Sequence, residues 1–262
     1  MTSASRREFN FALASSLIMP TTAWSAAPTT LESLVDIVLR SQKAGLELQD
    51  WRAYIAPWSR MGTWVAKRTE QDSQYDITLS YEASLARIKL LTDSGEPTIQ
   101  IKHTNVVPTI DASATRATVR VKTIVSFDGR SETTQEIFRL RVTDDGWRIE
   151  NNTYWRSEAR NKDRTIRFDA TYFNQADIKV ETALIQGPME ASLALFAALR
   201  WREAHELLTQ ATQPTKATAN LWAMRAQAAF MIGDIQDAIS AVKIARKRKS
   251  SVALPAWAKA IK

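Results

Sequence analysis

From Ala114 to Trp155 the chain alternates apolar and polar residues through three successive runs, which restricts its fold more than any other feature of the 262 residues. In the first run Ala117, Val119, Val121, Val125 and Phe127 share one side, and Thr118, Arg120, Lys122 and Ser126 the other. In the second, Phe138, Leu140 and Val142 oppose Arg139, Arg141 and Thr143. In the third, Trp147, Ile149, Asn151, Thr153 and Trp155 oppose Arg148, Glu150, Asn152 and Tyr154. A period of two predicts strands, and the breaks at Asp128-Gly129 and Asp144-Asp145-Gly146 predict the turns of an antiparallel meander. Such a sheet packs one face on apolar residues and wets the other. The cover must come from elsewhere in the chain.

The preceding segment supplies it. Thr29-Thr30-Leu31-Glu32 reads as a capping box with Thr29 as cap. Leu31, Leu34, Val35, Val38 and Leu39 follow at helical spacing, predicting a helix to about Lys43. Gly45 reads as an interruption before a second helix, Leu46 to Ala56, with Leu48, Trp51 and Ile55 on a stripe that Pro57 ends. Gly62 to Lys67 reads as a short strand. Tyr81, Leu85, Ile88 and Leu91 mark a third helix over Ser80 to Leu91. Thr98 to Val106 alternates as a strand with Ile99, Ile101, His103 and Asn105 on one face. The fold class is α+β.

This element order, closed by Gly146-Trp147-Arg148-Ile149, resembles the nuclear transport factor 2-like (SnoaL-like) superfamily over Leu31 to Glu158, about half the chain. The resemblance implies a bent sheet wrapped around three helices into a cone with an apolar pocket. It implies no single activity, because the superfamily includes enzymes, binding proteins and assembly domains. Ketosteroid isomerases, scytalone dehydratase and polyketide cyclases of the superfamily use Asp, His and Tyr groups in the pocket. The matching candidates here are His103 with Asp50 or Tyr54, the last two being four apart on one side of the second helix. Polar residues that alternation or position brings to the cone are the ligand-binding candidates: Thr123, Asn151, Tyr81 and Asn105. No acidic residue lies between Pro57 and Ala66, where an isomerase-type base would be sought, which tells against that chemistry. Trp51, Trp58 and Trp64 cluster near the expected cone mouth, as core or as the wall of a pocket for a small apolar ligand.

Beyond the meander, Ser157 to Arg167 is polar and without period, a linker candidate, and Gln175 to Ile185 reads as a helix ending at Gly187. From Pro188 the pattern is helical. Trp222, Ala226, Gly233, Ala238 and Ala245 resemble the tryptophan, small-residue, glycine and alanine positions of a tetratricopeptide repeat. A shift of one 34-residue period places Ser192, Leu199, Ala204 and Ala211 under Ala226, Gly233, Ala238 and Ala245 in a degenerate first copy. Pro255 to Lys262 reads as a final capping helix. So short a solenoid is expected to lean on the sheet, and its resemblance implies a protein partner.

The first 27 residues read as an export signal: a charged start, an apolar run from Phe11 to Met19 and small residues around Ala23-Trp24-Ser25. Ser5-Arg6-Arg7-Glu8-Phe9 resembles the twin-arginine translocation motif, with Arg6 and Arg7 as its pair, although Asn10 and Phe11 depart from the usual following residues. The run is too short for a membrane span. The expected divisions are thus 1–27 signal, 28–158 cone, 159–187 linker and connecting helix, and 188–262 helical repeats, with the mature chain in a periplasm.

Composition excludes several classes. There is no cysteine and there are only two histidines, His103 and His205, so no metal site is expected. No glycine-rich phosphate loop, nucleophile elbow or zinc signature is present, and no cofactor is expected. Net charge is +7, and residues 188–262 hold 11 Lys/Arg against 5 Asp/Glu. The run Arg246-Lys247-Arg248-Lys249 has no interleaved aromatics, so nucleic acid is not an expected partner. The outer sheet face, with Arg120, Lys122, Arg139, Arg141 and Arg148, is either solvated or the interface of a homodimer. The sequence therefore favours an exported accessory protein that binds a partner through its repeats and a small apolar ligand in its cone. Its alternative is a lyase, isomerase or hydrolase acting through His103 with Asp50 or Tyr54.

Overall fold

The computed structural model describes residues 30–47, 50–95, 99–214 and 216–261. The expected export signal with Arg6 and Arg7, the Thr29 cap and Leu48 lie outside them. In chain order the elements are α1 (Leu31–Leu46), α2 (Trp51–Ile55), β1 (Trp58–Lys67), β2 (Ile77–Ser80), α3 (Tyr81–Asp93), β3 (Gln100–Ile110) and β4 (Arg116–Phe127). They continue with β5 (Arg130–Thr143), β6 (Gly146–Asn161), β7 (Arg164–Arg167), α4 (Ala170–Leu184) and α5 (Pro188–Ala197). Last come α6 (Trp201–Thr212), α7 (Ala219–Ile232), α8 (Ile235–Arg248) and a 3-10 turn at Ala256–Ala260. The chain is a mixed α+β structure with a curved sheet, and none of its described helices is long and apolar enough to cross a membrane.

The strands run β2-β1-β6-β5-β4-β3, with β7 also on β6, and all pairs are antiparallel except β1 with β6. Both expected meander turns form. Asp128 and Gly129 have φ of 46° and 70° between the paired Phe127 and Arg130, the left-handed pair that a two-residue hairpin with the sheet's twist demands. On the inner face Ala117, Val119, Val121, Phe138, Leu140, Trp147 and Ile149 are buried against Leu34, Ile37 and Val38 of α1. Trp58 stacks on Trp64 with ring centroids 3.5 Å apart in the same core.

Several sequence expectations change. The α1 cap is Thr30, whose hydroxyl accepts the Ser33 N–H at 3.3 Å. α1 also runs through Gly45 instead of stopping there. A side chain at Gly45 would place a Cβ 2.5 Å from Cδ2 of Tyr54, so the glycine admits that ring. The second helix is one short turn with Asp50 as its cap. The polar stretch Ser157 to Arg167 is no linker: β6 continues to Asn161 and β7 pairs with it. It looked unstructured because an edge hairpin with both faces wet has no apolar period.

The third meander run also departs from simple alternation. Leu140 pairs with Ile149 but Arg139 pairs with Asn151, so Glu150 is an extra residue in β6. Beyond this bulge the side chains change faces, and Asn152 and Tyr154, not Asn151, point inward. A second bulge in β3 gives Asn105 a φ of 50° and turns it to solvent.

The helical region leans on the sheet as expected: Trp201 and Ile232 pack on the sheet core, and Leu90 and Leu91 of α3 pack on the α7–α8 cluster. Helix starts at Trp201 and Ile235 fall one 34-residue period apart, and Leu199 and Gly233, preceding each, have φ of 55° and 85°. Ser192, Ala226, Ala204 and Ala238 have no exposed surface, letting the helices approach closely. Pro255 opens a 3-10 turn, not an α-helix, and Trp257 within it stacks on Phe230 at 4.3 Å.

Candidate functional site

Strand register assembles a site on the inner face. Val121, Glu136, Tyr154, Ala66 and Ile77 form one cross-strand row, and Val119, Phe138, Asn152, Trp64 and Leu79 the next. Over these rows lie Gln42 and Leu46 of α1, Tyr54 of α2, and Ser84, Arg87, Ile88 and Leu91 of α3. The two layers bound a cavity of about 240 Å³. Its walls are mostly apolar, with Leu46, Leu79, Ile88, Leu91, Val125 and Phe138 facing a few polar groups.

The polar groups are organised by Glu136, which is 8% exposed. Its Oε2 accepts N–H groups from Gln42 at 2.8 Å and Asn152 at 3.1 Å, and its Oε1 accepts the Thr134 hydroxyl at 3.1 Å. A buried carboxylate needs such donors, because desolvating it without them is costly. Tyr54 stands beside this cluster and accepts the Trp64 indole N–H at 2.8 Å, leaving its own proton available to donate. Burial pushes the Tyr54 phenol far above its ordinary range; the Trp64 bond opposes that shift, Glu136 and Tyr154 add to it, and Arg87 opposes it. Tyr54 thus feels both the acid and the cation of the cavity. Four buried polar atoms of cavity-lining residues have no hydrogen-bond partner among the described residues: Gln42 Oε1, Asn152 Oδ1, Ser84 Oγ and Arg87 Nε.

Of the residues singled out from sequence as site candidates, Tyr54 lines this cavity, and so does Trp64 of the expected aromatic wall. His103 pairs across the ladder with Thr123, which pairs with Thr134, so both stand one row from Glu136. Thr123 has no exposed surface, and both its Oγ1 and His103 Nε2 are buried without a partner among the described residues. Burial lowers the basicity of His103, while Glu136 and Glu47 act the other way. Asp50 is exposed and accepts the Arg52 and Ala53 N–H groups at 3.0 and 3.1 Å, which occupies it as a helix cap. Asn151 lies on the opposite face, where its amide donates to Thr63 Oγ1 at 3.0 Å and its oxygen accepts from Arg139 at 2.7 Å. Tyr81 lines a separate outer groove beneath Arg60, and Asn105 is exposed at its bulge.

Glu136, Gln42, Ser84, Arg87, Asn152 and Tyr154 were not picked out by sequence. Glu136 had a signal: it precedes Phe138, Leu140 and Val142 by two and continues their face. Gln42 had one too, four residues after Val38 on the apolar stripe of α1. Asn152 had none, because it reaches the cavity through the bulge. Among the described residues no group of three or more His, Asp or Glu is arranged to hold a metal ion.

The sequence matches no protein-family model and no curated protein. Solved structures similar to the sheet half include a nuclear transport factor 2-like protein of unknown function from Pseudomonas putida. That protein is 9% identical, the match covers 47% of this chain and 84% of that one, and the TM-score is 0.40. A nuclear transport factor 2-like protein from Cytophaga hutchinsonii is 12% identical, over 49% of this chain and 99% of that one, with a TM-score of 0.38. LinA is 9% identical, over 50% and 88%, with a TM-score of 0.41. The likeness spans about half of this chain and most of each of the others.

Proposed function

We propose that the chain is an exported protein that holds a small, largely apolar molecule between its sheet and α1–α3, and docks a protein partner through its helical half. The observation that carries the ligand reading is the set of unpartnered polar atoms of Gln42, Asn152, Ser84 and Arg87 around one cavity. Each buried polar atom left without a partner costs about 1–3 kcal/mol. Water can satisfy such atoms, but the nine aliphatic and aromatic side chains lining the same space favour an occupant with an apolar body. The test is titration with N-phenyl-1-naphthylamine, whose emission rises in apolar surroundings. Saturable enhancement that Val125→Trp abolishes supports the reading; enhancement unchanged by Val125→Trp refutes it.

The partner reading is supported by exposed apolar side chains on α4, on α5 and at the turn between them: Ile178 at 64%, Ile185 at 89%, Met189 at 40% and Leu193 at 57%. Glu181 and Glu190 on the same helices are exposed too, so the occupant we infer is an amphipathic helix with an apolar stripe flanked by Lys or Arg. The tetratricopeptide-like spacing and the paired Arg6 and Arg7 support the same picture of an accessory protein in the periplasm. Ile185→Asp with Leu193→Asp should abolish capture of that partner from periplasmic extract, and unaltered capture would contradict it.

A catalytic role in the same cavity is the second reading, favoured by Glu136 and Tyr54 lining one cavity and by the influence of the Glu136 charge on the Tyr54 phenol, rather than by Asp50. It requires a turnover that Glu136→Gln removes without loss of binding.

A further inference from the structure

The cavity is polar at two ends of opposite need. At the α3 end Arg87 brings a positive charge. Its Nη2 reaches only the Met231 sulfur at 4.0 Å, its guanidinium lies 4.9 Å from the Phe230 ring centre, and its Nε is buried without a partner among the described residues. Among the described residues it makes no ion pair, unlike the partly buried Arg68, Arg148, Arg200 and Arg225, which face carboxylates. Ser84 sits three residues earlier on the same helical face, 6% exposed, with its hydroxyl unpartnered. A guanidinium with a hydroxyl one turn away recognises a carboxylate, which accepts in the plane of the guanidinium fork.

At the sheet end the need is reversed. Gln42 and Asn152 both point their N–H groups at Glu136, and that orientation turns their carbonyl oxygens away from it. Flipping either amide would set a carbonyl against the carboxylate, so the orientation is fixed by charge. Gln42 Oε1 and Asn152 Oδ1 are therefore buried acceptors that need a donor from the occupant. The same cavity is also lined by Leu79, Ile88, Leu91, Val125 and Phe138.

We propose that the cavity selects a small aromatic or alicyclic carboxylic acid, its carboxylate at Arg87 and Ser84 and a hydroxyl at its far end donating to Gln42 or Asn152. This rests on the ligand-binding reading above and adds the chemical class. A body of one ring with a two-carbon arm suits a cavity of about 240 Å³.

The test is calorimetric titration of the full chain at pH 7 with 3-(4-hydroxyphenyl)propionate, its amide, and 3-phenylpropionate. The hydroxy acid is expected to bind about 10-fold more tightly than the amide and at least about 3-fold more tightly than the acid without the hydroxyl. Arg87→Gln should erase the preference for acid over amide while amide affinity stays within about 2-fold, which also shows that the variant folds. Arg87→Lys should keep part of the preference. Equal binding of acid and amide by the unaltered protein, or a preference that survives Arg87→Gln, overturns the proposal. If N-phenyl-1-naphthylamine enters while the acids show no preference, only the class is refuted. If neither the dye nor any of the three compounds binds, the ligand-binding reading falls with it.

Discussion

Glu136 organises the cavity as an acceptor, and two substitutions separate that role from its charge. Glu136→Ala removes the acceptor of two amide N–H groups and of the Thr134 hydroxyl. Thr134 retains a second acceptor, the Thr123 carbonyl at 3.4 Å, so two buried donors are orphaned. At about 1–3 kcal/mol each, partly offset by no longer burying a charge, the expected loss is roughly 2–4 kcal/mol. Glu136→Gln behaves differently. Both amides address Oε2, so a glutamine can present its carbonyl oxygen there and turn its NH₂ toward the Thr134 oxygen. All three contacts survive, and the loss is expected to stay below about 1 kcal/mol. Urea unfolding reads the difference: with an m-value of about 3 kcal/mol/M, Ala shifts the midpoint down by about 1 M and Gln by less than about 0.3 M. A glutamine variant as unstable as the alanine variant would refute the reasoning, because charge and not acceptor geometry would then hold the site. An alanine variant as stable as the parent would refute it from the other side.

Three further outcomes follow from the same geometry. Gly45→Ala should lower stability by about 1–3 kcal/mol despite alanine's better helix propensity, because its Cβ would sit 2.5 Å from Tyr54 Cδ2; Trp fluorescence should report the loosened Tyr54–Trp64 contact. Burial pushes Asp237 up, but hydrogen bonds from His205 and Arg225 outweigh it and take the carboxyl from 3.8 to about 2. Its contribution is fully present above pH 4 and is lost as pH falls through 2; after allowance for solvent screening it amounts to roughly 1–2 kcal/mol, and Asp237→Asn should flatten that part of the stability–pH curve. His103 should titrate by NMR below its ordinary 6.5, and Glu136→Gln should lower the midpoint further, since the Glu136 charge favours the protonated ring. A midpoint unmoved by Glu136→Gln would place the two groups out of electrostatic contact.

Most strands and helices, though not β2, β7 or the end of β6, were legible because alternation and helical spacing are written in the sequence, and the turn at Asp128-Gly129 has only one economical geometry. The site was harder to read. A bulge inserts one residue without a compositional mark, and Glu150-Asn151-Asn152 is polar throughout, so either parity of the strand reads equally well. That is why Asn151 looked inward and Asn152 outward. Glu136 is hard to pick out because the apolar run begins at Phe138, although its spacing continues that face. Asp50 has the residue type of a catalytic acid, but its place before Trp51 is that of a helix cap. Gly45 looked like a break because glycine lowers helix propensity by about 1 kcal/mol; the compensating fit of the Tyr54 ring is tertiary and has no local signal.

The most direct test of the central claim is crystallographic: crystals soaked in 4-bromophenol, with bromine located by its anomalous scattering. The account predicts a peak inside the space bounded by Tyr54, Leu79, Phe138 and Asn152, with the phenol oxygen within hydrogen-bond distance of the Gln42 or Asn152 carbonyl. Bromine found only on the surface or among the helices, with water alone between the sheet and α1–α3, would contradict it.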